Sequence, residues 1–502
     1  MGYERVFLLE LSGPTIDFLR ERIDHLPNFR RCLERGAWSR LRGPLQPVAP
    51  TSFATLLTGK NPGKTGFFDL FRMRAGGYER RGYARDQLQG GTMLEHLSRR
   101  GKRVGVLNVP LMDPLPQLPG FVVSGDEGVG EDFAHPPEIA DALRTDGYSV
   151  PFGASYAAGR ELEFLDHAGM VIKSRHQALR KLFSRGGLDF GMLTLHAYGE
   201  LLHAFWKFYD DRHPEYQLIE EVFQGRDPFL EGLVAVDAIL GEVIEWAGSS
   251  GLVLALGAWG HRVEHSRLHL NTVLSRAGHL KMRLTPRVLG KRLALEVGLS
   301  KTRAEKLAHR LNVWKHFHYG MRRDRRASLV GAAFLSFDDI DWRRTRAFAM
   351  GYLGQVFLNV AGHRPQGPIA PTEYEAERRV LSDYLSRLRD PRTGEAVVDR
   401  VFTREELYHG LEVTHAPDLI VHCRDGYSAD DAIGERTIVT SSPANHSSDH
   451  WNESFLLAHG QGVRAGQLDA QLEDVAPTVL HALGVPLPAD LDGHTLPILK
   501  PA

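Results

Sequence analysis

Cysteine is almost missing. Cys32 and Cys423 are the two thiols in 502 residues, far apart and in no metal-type spacing. Two thiols in so long a chain exclude a disulfide framework and make a reducing compartment the default expectation. Long apolar runs are missing too. No window approaches 18 consecutive apolar residues, so no membrane span is expected. The start, Met1-Gly2-Tyr3-Glu4-Arg5, leads into a short apolar run, Val6 to Leu9, that Glu10 ends. A secretory leader needs a basic start and a longer apolar stretch. A cytoplasmic protein with no membrane partner is the resulting expectation. A surplus of either charge is also absent: Lys plus Arg is 61 and Asp plus Glu is 62, so the net charge is 61 − 62 = −1. That balance argues against a chain built to coat nucleic acid, which carries a basic surplus. Repeats and low-complexity tracts are likewise missing.

What is present is an ordinary globular composition, 42% apolar and 25% charged. The length suits about three domains, or one large domain with insertions. Short apolar runs bounded by turn residues predict buried strands at Arg5–Leu11, Arg103–Asn108, Phe190–Leu195, Gly251–Leu256, Thr345–Gly351, Gln355–Val360, Leu419–Val421 and Ser454–Ala458. Amphipathic spacing predicts helices at Pro27–Arg35, Ser52–Leu57, Met93–Arg100, Pro136–Leu143, His176–Ser184, Pro228–Ala247, Pro371–Leu388 and Asp474–Leu483. Alternating strands and helices mean an α/β fold with a mostly parallel sheet. Ligands then bind beyond the C-terminal ends of the strands. Two stretches break the rhythm: residues 67–89, a small insertion, and 280–337, read as an inserted helical cap. The basic residues Lys315, Arg322, Arg323, Arg325 and Arg326 of the cap read as a solvated face.

The loops carry a recognisable series of marks. They are Leu26-Pro27-Asn28, the run Leu57-Thr58-Gly59-Lys60-Asn61-Pro62-Gly63-Lys64-Thr65-Gly66, Asn108-Val109-Pro110, His203-Ala204-Phe205-Trp206, His269-Leu270-Asn271, Asp341-Trp342, Ala416-Pro417-Asp418-Leu419, and Asp474-Val475-Ala476-Pro477-Thr478 leading to Asp492-Gly493. In that order, the sequence resembles the alkaline phosphatase superfamily in its type I phosphodiesterase / nucleotide pyrophosphatase branch. The resemblance implies an alkaline-phosphatase-like core of a mostly parallel sheet with helices on both faces, split into 1–279 and 338–502 by the cap at 280–337. It also implies two-metal hydrolysis of phosphate esters, with a Thr or Ser nucleophile held on one metal.

The positions the resemblance assigns to that chemistry hold other residues. Ser12 stands where an Asp follows the first strand, and counting back nine positions from Thr58 puts Ala49 at the nucleophile. Gly199 stands four residues before His203 in place of an Asp, and Gly257-Ala258-Trp259-Gly260 replaces a Ser-Asp-His-Gly turn. His203 and His450 remain. Two adjacent dications need carboxylates, so the two-metal mechanism is not expected. The pocket is expected to persist, lined at these positions by Ser12, Ala49, Gly199, Ala258 and Trp259. Thr51 and Ser52, in the first turn of the following helix, are candidates for binding an anion. His203, His450, Asp449, His261, His265 and Glu200 are candidates for acid/base work, since imidazole beside carboxylate suits proton transfer near pH 7. His196, Glu264 and His446 crowd the same loops, and Asn359 and Arg364 match a family segment near the site. Three functions fit. One is metal-free acid/base chemistry on a small metabolite, by elimination, cyclisation, isomerisation or acyl transfer, with no cofactor. The second is non-catalytic binding of a nucleotide, phosphoester or protein. The third is hydrolysis with one Zn or Mn on His203 and His450, with a third ligand from Glu200, His196 or Glu264.

Overall fold

The computed structural model describes residues 2–74, 76–88, 91–126, 130–184, 186–298, 303–304, 333–443 and 446–498. Its centre is a large sheet whose five middle strands run parallel, in the order Gly251–Leu256, Arg5–Glu10, Phe190–Thr194, Val104–Val109 and Gly120–Ser124. Glu453–Gly460 continues the sheet antiparallel beside Gly251–Leu256, followed by Ala37–Arg42. Apolar residues fill both faces of the first strand. Phe7 and Leu9 join one core, and Val6 and Leu8 join another on the opposite face. A strand covered on both sides reads as a continuous apolar run, and for this reason the sequence reveals it.

Helices Pro27–Arg35, Glu161–Phe183, His196–Phe205 and Pro228–Ala247 lie on the first face. Helices Ala49–Thr58, Met93–Arg99 and Val475–Ala482 lie on the other. The predicted α/β class is observed, with element ends shifted by a few residues. Glu161–Phe183 begins well before the predicted His176. The structure adds the helix His196–Phe205 and the ten-residue strand Gly260–His269. The strand's sequence, GHRVEHSRLH, places polar residues side by side at His261-Arg262 and Glu264-His265, so its apolar signal is too thin to announce it.

Helix Pro27–Arg35 has no cap of its own at Leu26. Asp237, from a helix about two hundred residues later, accepts from the amides of Asn28 (3.0 Å) and Phe29 (2.8 Å) and from Asn28 Nδ2 (2.9 Å). A carboxylate at a helix N-terminus satisfies donors that are otherwise orphaned. Asp237→Ala is expected to lower the unfolding free energy by about 2–3 kcal/mol, the range for charged hydrogen bonds left unmade. Urea denaturation at pH 7 measures this, and an unchanged midpoint would contradict it.

Of the predicted cap, the structure describes the helix Pro286–Glu296, tied down by a buried ion pair from Lys291 to Asp339 at 2.6 Å. Lys315, Arg322, Arg323, Arg325 and Arg326 lie outside the described residues. The 67–89 stretch contains a hairpin, Phe71–Met73 with Arg80–Gly82, and Tyr78 beside it stacks on Trp342 at 3.8 Å. A separate four-stranded sheet runs in the order Ala347–Ala349, Gln355–Leu358, Leu419–Cys423 and Val398–Thr403, and Asn359 directly follows its inner strand Gln355–Leu358. Asn359 is a buried peg there. It donates to the carbonyls of Trp342 and Thr345 and accepts from Tyr78. Arg364 lies near the Phe357 ring of the same sheet. Neither residue lines the cavity described next. Both cysteines are buried and unpaired, and burial pushes each thiol up to about 12.

Candidate functional site

Three loops beyond the C-terminal ends of the strands Arg5–Glu10, Phe190–Thr194 and Gly251–Leu256 close around one cavity, as expected for an open α/β sheet. The helix following the second strand turns His196, Gly199, Glu200 and His203 toward it at spacings of three and four. The third loop leads into Gly260–His269, which pairs antiparallel with Ser448–Trp451. The register sets His261 directly opposite His450, and Arg262 opposite Asp449. Side chains directly opposite each other share a sheet face, and neighbours along a strand alternate. His261 and His450 therefore face the cavity together, while Asp449 faces away with Arg262.

One ring nitrogen each of His203, His261 and His450 lies within 4.8 Å of the other two. Their orientation is fixed from behind, largely by Ser448. The carbonyl of Ser448 is 3.1 Å from His203 Nδ1, which must donate, since a carbonyl only accepts. The Ser448 hydroxyl donates to the carbonyl of Leu202 at 3.0 Å. It then accepts from His261 Nδ1 at 2.7 Å. His450 donates to the carbonyl of Pro47. Each ring thus gives one N–H to a fixed oxygen and turns a lone pair toward the other rings. His203 Nε2 and His450 Nε2 stand 3.0 Å apart, and the buried His261 Nε2 has no hydrogen-bond partner among the described residues. Burial holds all three rings below the usual histidine range, furthest for His261 and His450. They are neutral near pH 7, the form that ligates metal.

The cavity is about 350 Å³. Ser12, Ala49, Gly199, Glu200 and Trp259 line it with the three histidines, and Trp259 packs on His450 at 4.8 Å between ring centres. Trp259 forms a wall and leaves the cavity open. Ala258 sits just behind, its amide donating to Glu10 at 3.1 Å. The other named candidates stand elsewhere. Asp449 is half-buried beside Arg262, Arg267 and Glu264. His265 contacts Ser266 and Tyr427 and lines a different cavity. His446 lines that second cavity too, but its ring also lies 5.0 Å from the ring of His203. Thr51 and Ser52 are fully buried in helix Ala49–Thr58 and do not line the site. Their hydroxyls are buried without a hydrogen-bond partner among the described residues, and the Ser52 amide is bonded to the Val48 carbonyl.

Three site residues escape the sequence reading. Ser448 has no signal beyond its place two residues before His450. Glu10 is a lone charge closing an apolar strand, on the same face as Ser12, which donates to it. Arg175 interrupts the apolar stripe Ala168, Ile172, Leu179 and Leu182 of its helix, a charge at a core position.

The model of the type I phosphodiesterase / nucleotide pyrophosphatase family matches residues 6–452. No curated protein matches the chain at a significant level. Among solved structures, human ectonucleotide pyrophosphatase / phosphodiesterase 5 superposes with a TM-score of 0.51 at 12% identity, covering 96% of both chains. An inactive form of the murine protein, in complex with AMP, gives 0.50 at 11% identity, covering 99% of this chain and 100% of that one. At such identities the likeness is one of fold.

Proposed function

The chain belongs to the type I phosphodiesterase / nucleotide pyrophosphatase family, and from that premise we propose that it is a phosphoester hydrolase working with one divalent cation on His203, His261 and His450. The observation that carries this reading is the orphaned lone pair of His261 Nε2, turned toward two others 3.0 Å apart. Lone pairs that face each other so closely repel unless a proton or a cation lies between them. Three neutral imidazoles, each oriented by an outer hydrogen bond, form a ligand set typical of zinc. No carboxylate stands among them, so the set suits one cation and not an adjacent pair. His261 takes the third-ligand place for which the sequence suggested Glu200, His196 or Glu264.

A cation in such a site supplies Lewis acidity and lowers the pKa of a water to near neutrality. The chain's own residues do the rest. Ala49 offers no nucleophilic atom and the Ser12 hydroxyl is engaged by Glu10, so the reading requires attack by water without a covalent enzyme intermediate. Trp259 and the helix from His196 wall the cavity and restrict bulk solvent. Neutral His196, held down to about 4 by burial and the charge of Arg175, adds no competing cation. The AMP complex of the murine relative makes nucleotides the first substrate class to try.

Elemental analysis of untagged protein, purified without chelator, is expected to give close to one equivalent of zinc or manganese per chain. Phosphodiesterase activity is expected to fall with chelation and return with metal. Less than about a tenth of an equivalent would overturn the reading. Metal-free acid chemistry is less favoured, because the rings are held neutral and the N–H of each is committed to a fixed oxygen, which leaves no proton to deliver to a substrate. Ala49 at the nucleophile position favours a second reading, nucleotide binding without turnover. It predicts AMP binding that survives loss of all three histidines.

A further inference from the structure

The same cavity carries a buried cation that has no counter-charge among the described residues. Arg175, in the helix Glu161–Phe183, is 3% exposed and lines the wall together with His196. One of its terminal nitrogens donates to the carbonyl of Val150 at 2.9 Å, and its guanidinium lies over the Tyr148 ring at 4.2 Å. Its Nε has no partner. Among the described residues no carboxylate pairs with it. Asp126 lines the same cavity, but its oxygens accept from the amides of Leu111 (3.0 Å) and Met112 (2.7 Å) and from the Ser124 hydroxyl (3.1 Å). His196, the nearest titratable ring, is neutral. Buried charges in proteins are paired or coordinate a ligand, and a buried guanidinium whose Nε has no partner among the described residues keeps a donor for a carboxylate or phosphate.

We propose that Arg175 is the anion seat of this cavity: it binds an ionised phosphate or carboxylate of the substrate while the scissile ester lies against His203, His261 and His450. The substrate is then a small molecule that keeps a second anionic group beyond the bond that breaks. The inference rests on the hydrolase reading for the chemistry at the histidines, but the seat itself requires no metal. Arg175 is a binding and specificity residue, and its charge is retained at a cost in stability because a ligand uses it.

Inorganic phosphate and, in parallel, succinate are titrated into metal-free full-length protein, following the ¹⁵N–¹H resonance of the Arg175 Nε, assigned by its loss in Arg175→Lys. A saturable shift is expected, with the stronger response naming the anion class. A resonance unmoved by both anions overturns the proposal. Calorimetric affinity for the preferred anion is expected to fall at least tenfold in Arg175→Met, and the melting temperature in anion-free buffer is expected to hold or rise, since Met fills the site without a buried charge. A drop of several degrees, or failure to fold, would make Arg175 a staple for the Tyr148–Val150 loop and overturn the proposal. In His261→Ala the anion response is expected to persist. If the metal reading fails while the Arg175 shift remains, the seat stands alone. If metal binds and the shift is absent, the seat falls and the metal reading stands.

Discussion

Zinc affinity is expected to fall by more than about a hundredfold when His261 is replaced by alanine, and by about ten- to a hundredfold when Ser448 is. The two effects come from different parts of one arrangement. In the proposed site His261 would contribute a lone pair, so its loss would leave two ligands where at least three are needed. Ser448 contributes orientation: its hydroxyl accepts from His261 Nδ1 at 2.7 Å and so fixes Nε2 as the free nitrogen. Losing such an outer partner typically costs about 10–100-fold in metal affinity. The carbonyl that orients His203 is backbone and survives in Ser448→Ala. Competition against a chromophoric chelator at pH 7.5 measures both. His265→Ala is the control, because His265 lines a different cavity. Equal affinity in wild type and His261→Ala would remove His261 from the site. A loss in His265→Ala as large as that in His261→Ala would mean the metal binds elsewhere.

The contrast between His261 and His265 marks where sequence reading stops. Both follow the Ala258-Trp259 turn, and loop spacing alone does not separate them. The strand that contains them does. His261 falls opposite His450, whereas a register irregularity between Glu264 and Ser266 carries His265 to another face. The same pairing turns Asp449 away although it adjoins His450. The parallel sheet was legible because strands buried on both faces are continuous apolar runs, as at Gly251–Leu256. Helix Pro27–Arg35 was legible from its spacing and its proline start. The His203 and His450 positions were legible through the family resemblance. What stayed hidden depends on register and on contacts between distant segments: the Ser448 bracket, the Asp237 cap, and the charge of Arg175 inside an apolar stripe.

Glu10 shows how such a hidden group makes itself measurable. It is fully buried at the end of the first strand, bonded to the Ser12 hydroxyl and the Ala258 amide, with its second oxygen unpartnered. Burial pushes its carboxyl from 4.5 up to about 7, against the lowering effect of those two hydrogen bonds. Near pH 4 and below, the group is protonated both folded and unfolded, and it contributes no pH dependence. As pH rises past the unfolded value, the unfolded chain releases the proton while the folded protein retains it. The native state then binds more protons, so stability falls with pH until the folded carboxyl also ionises near 7. At about 1.4 kcal/mol per pKa unit, the accumulated loss is roughly 3 kcal/mol above that point. Glu10→Gln keeps the acceptor for Ser12 and Ala258 and removes the titration. Taking the difference between variant and wild type cancels every other group that ionises in this range. The variant is therefore expected to gain roughly 3 kcal/mol more over wild type at pH 8 than at pH 4, read from paired urea denaturations. A difference that stays constant from pH 4 to pH 8 would mean that Glu10 ionises normally in the folded protein and that its side chain reaches solvent or a cation. A rise confined to the interval between about 4.5 and 7 would identify Glu10 as a neutral acid at the strand end in mildly acidic solution, held beside Ser12 where the family resemblance expects a metal-binding Asp.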